Sequence, residues 1–280
     1  MNKGFEAFIA CEKSFDEANV VIFGAPFDGT ASYRPGARFA PKAIRVESYG
    51  IETYSPYQNK DLSEALVFDS GDLELPFGNA ARALTMVETH SAFICAEGKR
   101  PFMFGGEHLM SLGVIRAVCK AYSDLHIIHI DAHADLREEY QGETLSHATV
   151  MRRVWELVGD GGIHQFGTRS GDREEFEFAK SHTLMQRFNL NGLEETVGLL
   201  AGKPVYVSLD LDVLDPSALP GTGAPEAGGV GFDELLDALI KLKPLNIVGC
   251  DITELSPPYD YSGVSTVTAC KLAREMLLII

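Results

Sequence analysis

Short apolar runs recur along the chain, each followed by a turn and then by a stretch with apolar residues at helical spacing. The runs predict eight strands, over residues 19–23, 65–68, 101–104, 125–130, 163–166, 183–186, 204–209 and 247–250. Several are apolar on both faces, as in Leu125-His126-Ile127-Ile128-His129-Ile130. Continuous apolar runs belong to central strands of a parallel sheet covered on both sides, because a half-exposed strand would alternate with polar residues. The intervening stretches predict helices over 79–97, 111–122, 147–158, 172–180, 193–201, 232–242 and 265–278; in the first, Leu84, Val87 and Ile94 recur at helical spacing. Strand alternating with helix implies an α/β sandwich with a mostly parallel sheet. Ligands of such folds gather outside the carboxyl ends of the strands.

The chain has 280 residues, with 45% hydrophobic and 23% charged, enough apolar material for a large core. With no repeat, low-complexity tract or Pro/Gly/Ser linker, a single domain over residues 1–280 is expected. No apolar run approaches the about 20 residues of a membrane span. The start, Met1-Asn2-Lys3-Gly4-Phe5-Glu6, lacks the apolar segment of a secretory signal. Cys11, Cys95, Cys119, Cys250 and Cys270 are odd in number and form no C-x-x-C unit. Buried, reduced thiols are the expectation, and with them a cytoplasmic location. The formal net charge of -16 disfavours nucleic acid as a partner and suits a metal or a small cation.

Three clusters carry chemistry. In Ile130-Asp131-Ala132-His133-Ala134-Asp135, at the end of an apolar strand, the period of two would bring Asp131, His133 and Asp135 to one side. Ionisable groups emerging together from a buried strand need a neutralising partner, and a divalent cation is one. In Val207-Ser208-Leu209-Asp210-Leu211-Asp212, Asp210 and Asp212 share a face on the same reasoning. Two carboxylates so close must share a proton or bind a cation. Asp215, before Pro216, is expected to shape a turn instead. The third cluster, Gly105-Gly106-Glu107-His108, sets a histidine beyond a strand end after a pair of glycines. Two histidines and four aspartates are too rich in oxygen for a structural zinc site. Hard oxygen donors with some imidazole favour Mn²⁺ or Mg²⁺ and metal-assisted hydrolysis.

These segments, in this order, resemble the ureohydrolase family of arginases, agmatinases and their relatives. The family patterns G-G-[DE]-H, D-A-H-x-D and S-x-D-x-D-x-x-D-P match residues 105–108, 131–135 and 208–216. Further matches are Ser32-Tyr33-Arg34-Pro35-Gly36-Ala37-Arg38-Phe39-Ala40-Pro41, Gly221-Thr222-Gly223 and Thr253-Glu254-Leu255-Ser256-Pro257. The resemblance implies a three-layer α/β/α sandwich around a parallel, largely eight-stranded sheet. It also implies two Mn²⁺ ions held by His108, Asp131, Asp135 and Asp210 with His133 and Asp212, and a trimeric or hexameric homo-oligomer. Within the family, residues 135–140 and 142–149 and Pro225-Glu226-Ala227-Gly228-Gly229 are similar to Bacillus-type agmatinases. Two positions depart: Ala148 stands where many members have Gly, and Ala224 where many have Thr. Both bear on substrate fit rather than on the metals.

The reaction so implied is attack of a metal-bridging hydroxide on the guanidino carbon of agmatine, giving urea and putrescine, a step of polyamine biosynthesis. Asp135 would hold the hydroxide and handle its proton. His147 would contact the substrate and serve as general acid or proton shuttle. Glu254 would pair with the guanidinium. Arginine, guanidinobutyrate, guanidinopropionate, aminopropylagmatine and formiminoglutamate are alternative substrates. A deacetylase-type amide hydrolase and an inactive metal-binding scaffold are the rival classes. Arg34 and Arg38 would bridge subunits or buttress the site, and Glu226 would meet the substrate's distal amine or lie at the rim. His90, His126, His129, His164 and His182 are assigned to structure, with His129 deeper in the core than Asp131.

Overall fold

The structure, a computed structural model, describes residues 7–280. In chain order the strands are β1 (Val20–Ala25), β2 (Tyr54–Ser55), β3 (Lys60–Asp61), β4 (Val67–Asp72), β5 (Arg100–Gly105), β6 (His126–Ile130), β7 (Ile163–Thr168), β8 (Leu184–Arg187), β9 (Pro204–Asp210) and β10 (Asn246–Thr253). Strands β2 and β3 make a small antiparallel hairpin. The other eight form one sheet in the order β4-β1-β5-β10-β9-β6-β7-β8, and every neighbouring pair is parallel. The helices are α1 (Ala40–Glu47), α2 (Ala80–Ala96), α3 (Ser111–Ala121), α4 (Val150–Val158), α5 (Arg173–His182), α6 (Leu193–Leu199), α7 (Phe232–Lys241) and α8 (Val264–Leu277).

Both faces of the sheet are buried, which is why its strands read as apolar runs. Val20 and Ile22 of β1, Phe102 and Phe104 of β5 and Val205, Val207 and Leu209 of β9 pack with residues of α1, α6, α7 and α8. Their sequence neighbours Val21, Phe23, Met103 and Tyr206 pack with α2, α3, α4 and α5 on the opposite face. This is the expected three-layer sandwich. Each strand expected from the sequence is present with its ends shifted by a few residues. The helix expected over 147–158 opens as a 3-10 turn, His147–Thr149, and becomes α-helical only at Val150.

Helix α1 and the hairpin were not legible in the pattern. Helix α1 has eight residues, with Pro41 in its first turn, too few to display a period. What holds it is tertiary. Arg45 is buried and donates through Nε and Nη2 to Asp69 at 2.8 and 2.9 Å, and through Nη1 to Asp72 at the end of β4. The hairpin is likewise tied to α8: Ser55 Oγ and Gln58 Nε2 donate to the buried Glu275 carboxylate.

From β1 the chain moves out to β4, returns to β5, jumps to β6 and continues to β7 and β8. It then comes back through β9 and β10, which fill the gap between β6 and β5. The carboxyl ends of β5, β10, β9 and β6 therefore lie side by side where the winding reverses, the position at which open α/β sheets bind ligands.

Candidate metal centre and active site

Each cluster leaves its strand by a different backbone device. After β5, Gly106 has no room for a side chain, since a Cβ would run into the Phe27 backbone. Gly106 and Glu107 donate to the Ala25 and Phe27 carbonyls, so the loop after β1 and the loop after β5 are laced together. A 3-10 turn then presents His108. The period-two reading of residues 131–135 fails beyond Ile130, where β6 ends. His133 makes a bridge with Ser170, and Asp135 is in the left-handed region at φ 53°. Convergence there comes from an irregular, strained turn, a conformation that persists only where its surroundings impose it. The same correction applies to Asp210 and Asp212. Strand β9 ends at Asp210, whose Oδ1 accepts from the Asp212 N–H at 2.9 Å to cap a 3-10 turn.

These devices bring the six candidate ligands into two groups. His108 Nδ1 lies 3.0 Å from Asp131 Oδ2, 3.1 Å from Asp210 Oδ2 and 3.3 Å from Asp135 Oδ2. His133 Nδ1 lies 3.0 Å from Asp212 Oδ2 and 3.6 Å from Asp131 Oδ1. Asp131 thus offers one oxygen to each group. His108 Nδ1 is buried and makes no hydrogen bond despite the three carboxylates around it. A nitrogen lone pair among carboxylate oxygens, with no proton donor aimed at it, fits a cation, and the imidazole–carboxylate donor set fits a hard divalent ion.

The groups behind the ligands fix their orientation. Ser208 Oγ donates to Asp251 Oδ1 at 2.8 Å, so at 2.9 Å it accepts from His108 Nε2, and a neutral His108 ring then turns its Nδ1 lone pair toward the carboxylates. Tyr206 OH donates to the other Asp251 oxygen at 2.6 Å. His129 Nε2 donates to Asp131 Oδ2 at 2.8 Å while its Nδ1 accepts from Gln165 Nε2 at 3.1 Å. The Gln165 amide is itself oriented by the Ala134 carbonyl and the Thr183 hydroxyl. His129 is close enough to count as a ligand of the first group, yet both ring nitrogens are engaged. It is a buried supporting residue, in keeping with its structural assignment. Such supporting partners set ligand orientation and basicity.

The charge balance is unstable without a cation. Burial opposes ionisation of Asp131, but His129 and His108 hold its carboxyl well below the usual range. Burial, with Asp212 and Asp131 beside it, pushes Asp210 well up, and burial raises Asp212 also. Burial pulls His108 and His133 down, but the surrounding carboxylates outweigh it and hold both well above an ordinary imidazole. Four carboxylates and two imidazoles cannot all take their preferred charge in this space; cations would let them.

The two groups floor a cavity of about 270 Å³ whose lining includes Ser32, Arg34, Arg137, Tyr140, His147 and Glu254. Glu254 is in the left-handed region at φ 62°, and its Oε1 accepts from the His108 N–H at 2.6 Å. It is partly buried and has no ion pair among the described residues. Burial and the nearby Glu107 hold its carboxyl up to about 8, and burial holds Glu107 up to about 7. His147 stands against the loop after β1, its N–H donating to Thr30 Oγ1 at 3.1 Å. Burial lowers its pKa.

Ala148 and Ala224, the two departures, line the same cavity. Arg34 lines the cavity and lies over the rings of Tyr33 and Tyr259. Arg38 pairs with the buried Asp28, which also accepts from the Gly36 N–H, so it buttresses the loop. Glu226 is not part of the cavity lining; its carbonyl accepts from Arg169. Asp215 accepts from Ser217, Gly228 and Gly229, which pull its carboxyl down to about 2, and it is the turn residue expected. His90, His126, His164 and His182 lie outside the cavity. Sequence reasoning gave no role to Thr30, Glu107, Gln165 or Asp251. Glu107 lies within the cluster of residues 105–108, but nothing local marks the others.

The chain matches the Arginase family over residues 18–279. It is 49% identical to an agmatinase from Bacillus anthracis, over 98% of this chain and 96% of that one. A candidate agmatinase from Clostridium difficile, of known crystal structure, superposes with a TM-score of 0.93 at 50% identity, over 95% of this chain and 98% of that one. The agmatine ureohydrolase of Thermoplasma volcanium superposes with a TM-score of 0.89 at 33% identity, over 99% and 94% of the two chains.

Proposed function

This chain belongs to the arginase family, and from that premise we propose that it hydrolyses agmatine to urea and putrescine with two Mn²⁺ ions. The observation that carries the reading is the cavity itself. Two imidazole–carboxylate groups sharing Asp131 sit at its floor, and Glu254, a carboxyl without a countercharge among the described residues that a bound cation would ionise, lines it with them. A guanidinium is a planar cation whose paired N–H groups match a carboxylate.

Bound at His108, Asp131, Asp135 and Asp210 and at His133, Asp212 and Asp131, the metal pair would lower the pKa of a water and neutralise the carboxylates. The remaining work falls to side chains. Glu254 orients the guanidinium, its Oε1 steadied by the His108 N–H. Asp135, locked in its strained turn, takes up a proton from the attacking water. His147, with a pKa lowered by burial, takes that proton over from Asp135 and passes it to the departing amine. Agmatine is the favoured substrate because its guanidinium can pair with Glu254 and because agmatinases are among the relatives. Among the described residues no helix is long and apolar enough to cross a membrane; the proposed setting is the cytoplasm, as a single-domain chain in a trimer or hexamer, serving polyamine biosynthesis.

The test is urea release by the Mn²⁺-loaded protein from agmatine, arginine and guanidinobutyrate in parallel. Agmatine turning over fastest is the expected result. Preference for another guanidino compound would keep the chemistry and replace the substrate. Two bound metals with no urea from any compound would overturn the proposal.

A further inference from the structure

The loop after β1 reaches over the cavity, and its Thr30 meets two buried groups at once. Thr30 Oγ1 donates to Glu107 Oε1 at 2.6 Å, and the Thr30 N–H donates to Glu107 Oε2 at 2.8 Å. Glu107 is buried, next to His108 in sequence, and each of its oxygens is an acceptor for Thr30. On its other side Thr30 Oγ1 accepts from the His147 N–H at 3.1 Å and lies 3.4 Å from His147 Nδ1. A hydroxyl has a single proton. Here that proton is committed to a carboxylate, so toward His147 the Thr30 oxygen can only accept.

That constraint has a chemical consequence. A neutral imidazole keeps its proton on the nitrogen whose neighbour accepts, and the other nitrogen is left with the lone pair. At His147, Nδ1 faces the accepting Thr30 oxygen. Nε2 faces the Ser32 hydroxyl, 3.4 Å away, which can donate or accept. Ser32 lines the cavity and His147 lines it too. Tyr140 closes the ring edge-on at 5.6 Å between centroids. The residue is therefore held by its backbone N–H and by Nδ1 on Thr30, with the Tyr140 ring perpendicular to the imidazole, while Nε2 meets a hydroxyl of the cavity lining that can exchange a proton with it.

We propose that Thr30, polarised by Glu107, is a positioning residue that holds His147 as its Nδ1–H tautomer with Nε2 toward the cavity. The inference rests on the reading of His147 as the proton shuttle and adds how the chain keeps that shuttle in one tautomer. The arrangement follows the rule that a catalytic base needs a third group to orient it. It also gives Glu107 a role separate from the neighbouring ligand.

The variants Thr30→Val, Thr30→Ser, His147→Ala and the pair Thr30→Val/His147→Ala test this on the full Mn²⁺-loaded chain, by kcat and KM for urea release from agmatine. Valine keeps the shape and removes the oxygen. Thr30→Val is expected to lower kcat by about 10- to 100-fold with KM changed less than about threefold, as for loss of a group acting through a general acid or base. Thr30→Ser is expected to recover kcat to within about threefold. In the His147→Ala background, Thr30→Val is expected to cost nothing further, because residues acting as one unit are not additive. Equal losses in both backgrounds would make Thr30 a structural residue and overturn the inference. Unchanged kcat in Thr30→Val with a low kcat in His147→Ala would overturn it as well. Full activity in His147→Ala would instead remove the shuttle reading on which it rests. Far-UV circular dichroism of each variant separates misfolding from these outcomes. A Thr30→Val that fails to fold is replaced by Glu107→Gln. Its amide N–H would turn the Thr30 proton toward Nδ1, and the same loss of kcat without His147-independent effect is expected.

Discussion

Ser208→Ala isolates the support behind one candidate ligand. Ser208 Oγ sits between His108 Nε2 at 2.9 Å and Asp251 Oδ1 at 2.8 Å, and all three residues are buried. Alanine leaves the His108 Nε2–H a buried donor without an acceptor, which costs about 1–3 kcal/mol, and takes one of two donors from the Asp251 carboxylate. The ring can escape the first penalty by moving its proton to Nδ1, where Asp131, Asp210 and Asp135 lie within 3.3 Å. A proton there must be displaced by any metal. Loss of comparable supporting bonds weakens metal sites about 10- to 100-fold, or about 1.4–2.7 kcal/mol, so both effects fall in one range. The expected outcome is two classes of Mn²⁺ affinity in a calorimetric titration. The His108 group weakens by that factor, the His133–Asp212 group keeps its affinity, and excess Mn²⁺ restores most of the urea release. Mn²⁺ binding within twofold of the parent, in a variant whose denaturation midpoint has not moved, would refute the claim that Ser208 sets the His108 tautomer.

Three further outcomes are expected. Glu254→Gln removes the countercharge proposed for the guanidinium while sparing the metal groups; urea assays should give at least about a tenfold loss in kcat/KM with Mn²⁺ stoichiometry unchanged. Removing metal with a chelator should abolish urea release and destabilise the fold, since Asp131, Asp210 and Asp212 would stay buried together; readdition at 100 times Kd should return about 2.7 kcal/mol in denaturant titrations. Burial, then His126 and Lys203, hold His164 down to about 4, with Asp124 pairing to Lys203 at 3.2 Å. The folded state therefore binds fewer protons than the unfolded one: this stabilisation is complete above about 6.5 and is lost as the pH falls through about 4. Denaturation midpoints measured from pH 7.5 to 4.5 should decline, and less steeply in His164→Gln.

Much of this molecule is determined by the sequence alone. The strands could be read because burial on both faces demands apolar runs, and Val205, Tyr206, Val207 and Leu209 fill alternate cores with little room for a polar residue. The three clusters could be read because carboxylates and histidines at the ends of such runs are costly without a partner. The parallel sheet made the strand ends the place to look. Local periodicity then misled in detail: Asp131, His133 and Asp135 converge through an irregular turn with a left-handed residue after β6 has ended, and Asp212 joins Asp210, the last residue of β9, through a 3-10 turn. Only the tertiary structure decided which groups meet. It set β9 and β10 between β5 and β6, brought His108 to aspartates 23, 27 and 102 residues away in sequence, and laid Thr30 between Glu107 and His147. Helix α1 exists because Arg45 finds Asp69 and Asp72 across the fold. Such pairings depend on distances between segments remote in the chain, and a hydroxyl such as Thr30 has no local pattern until the fold supplies its partners.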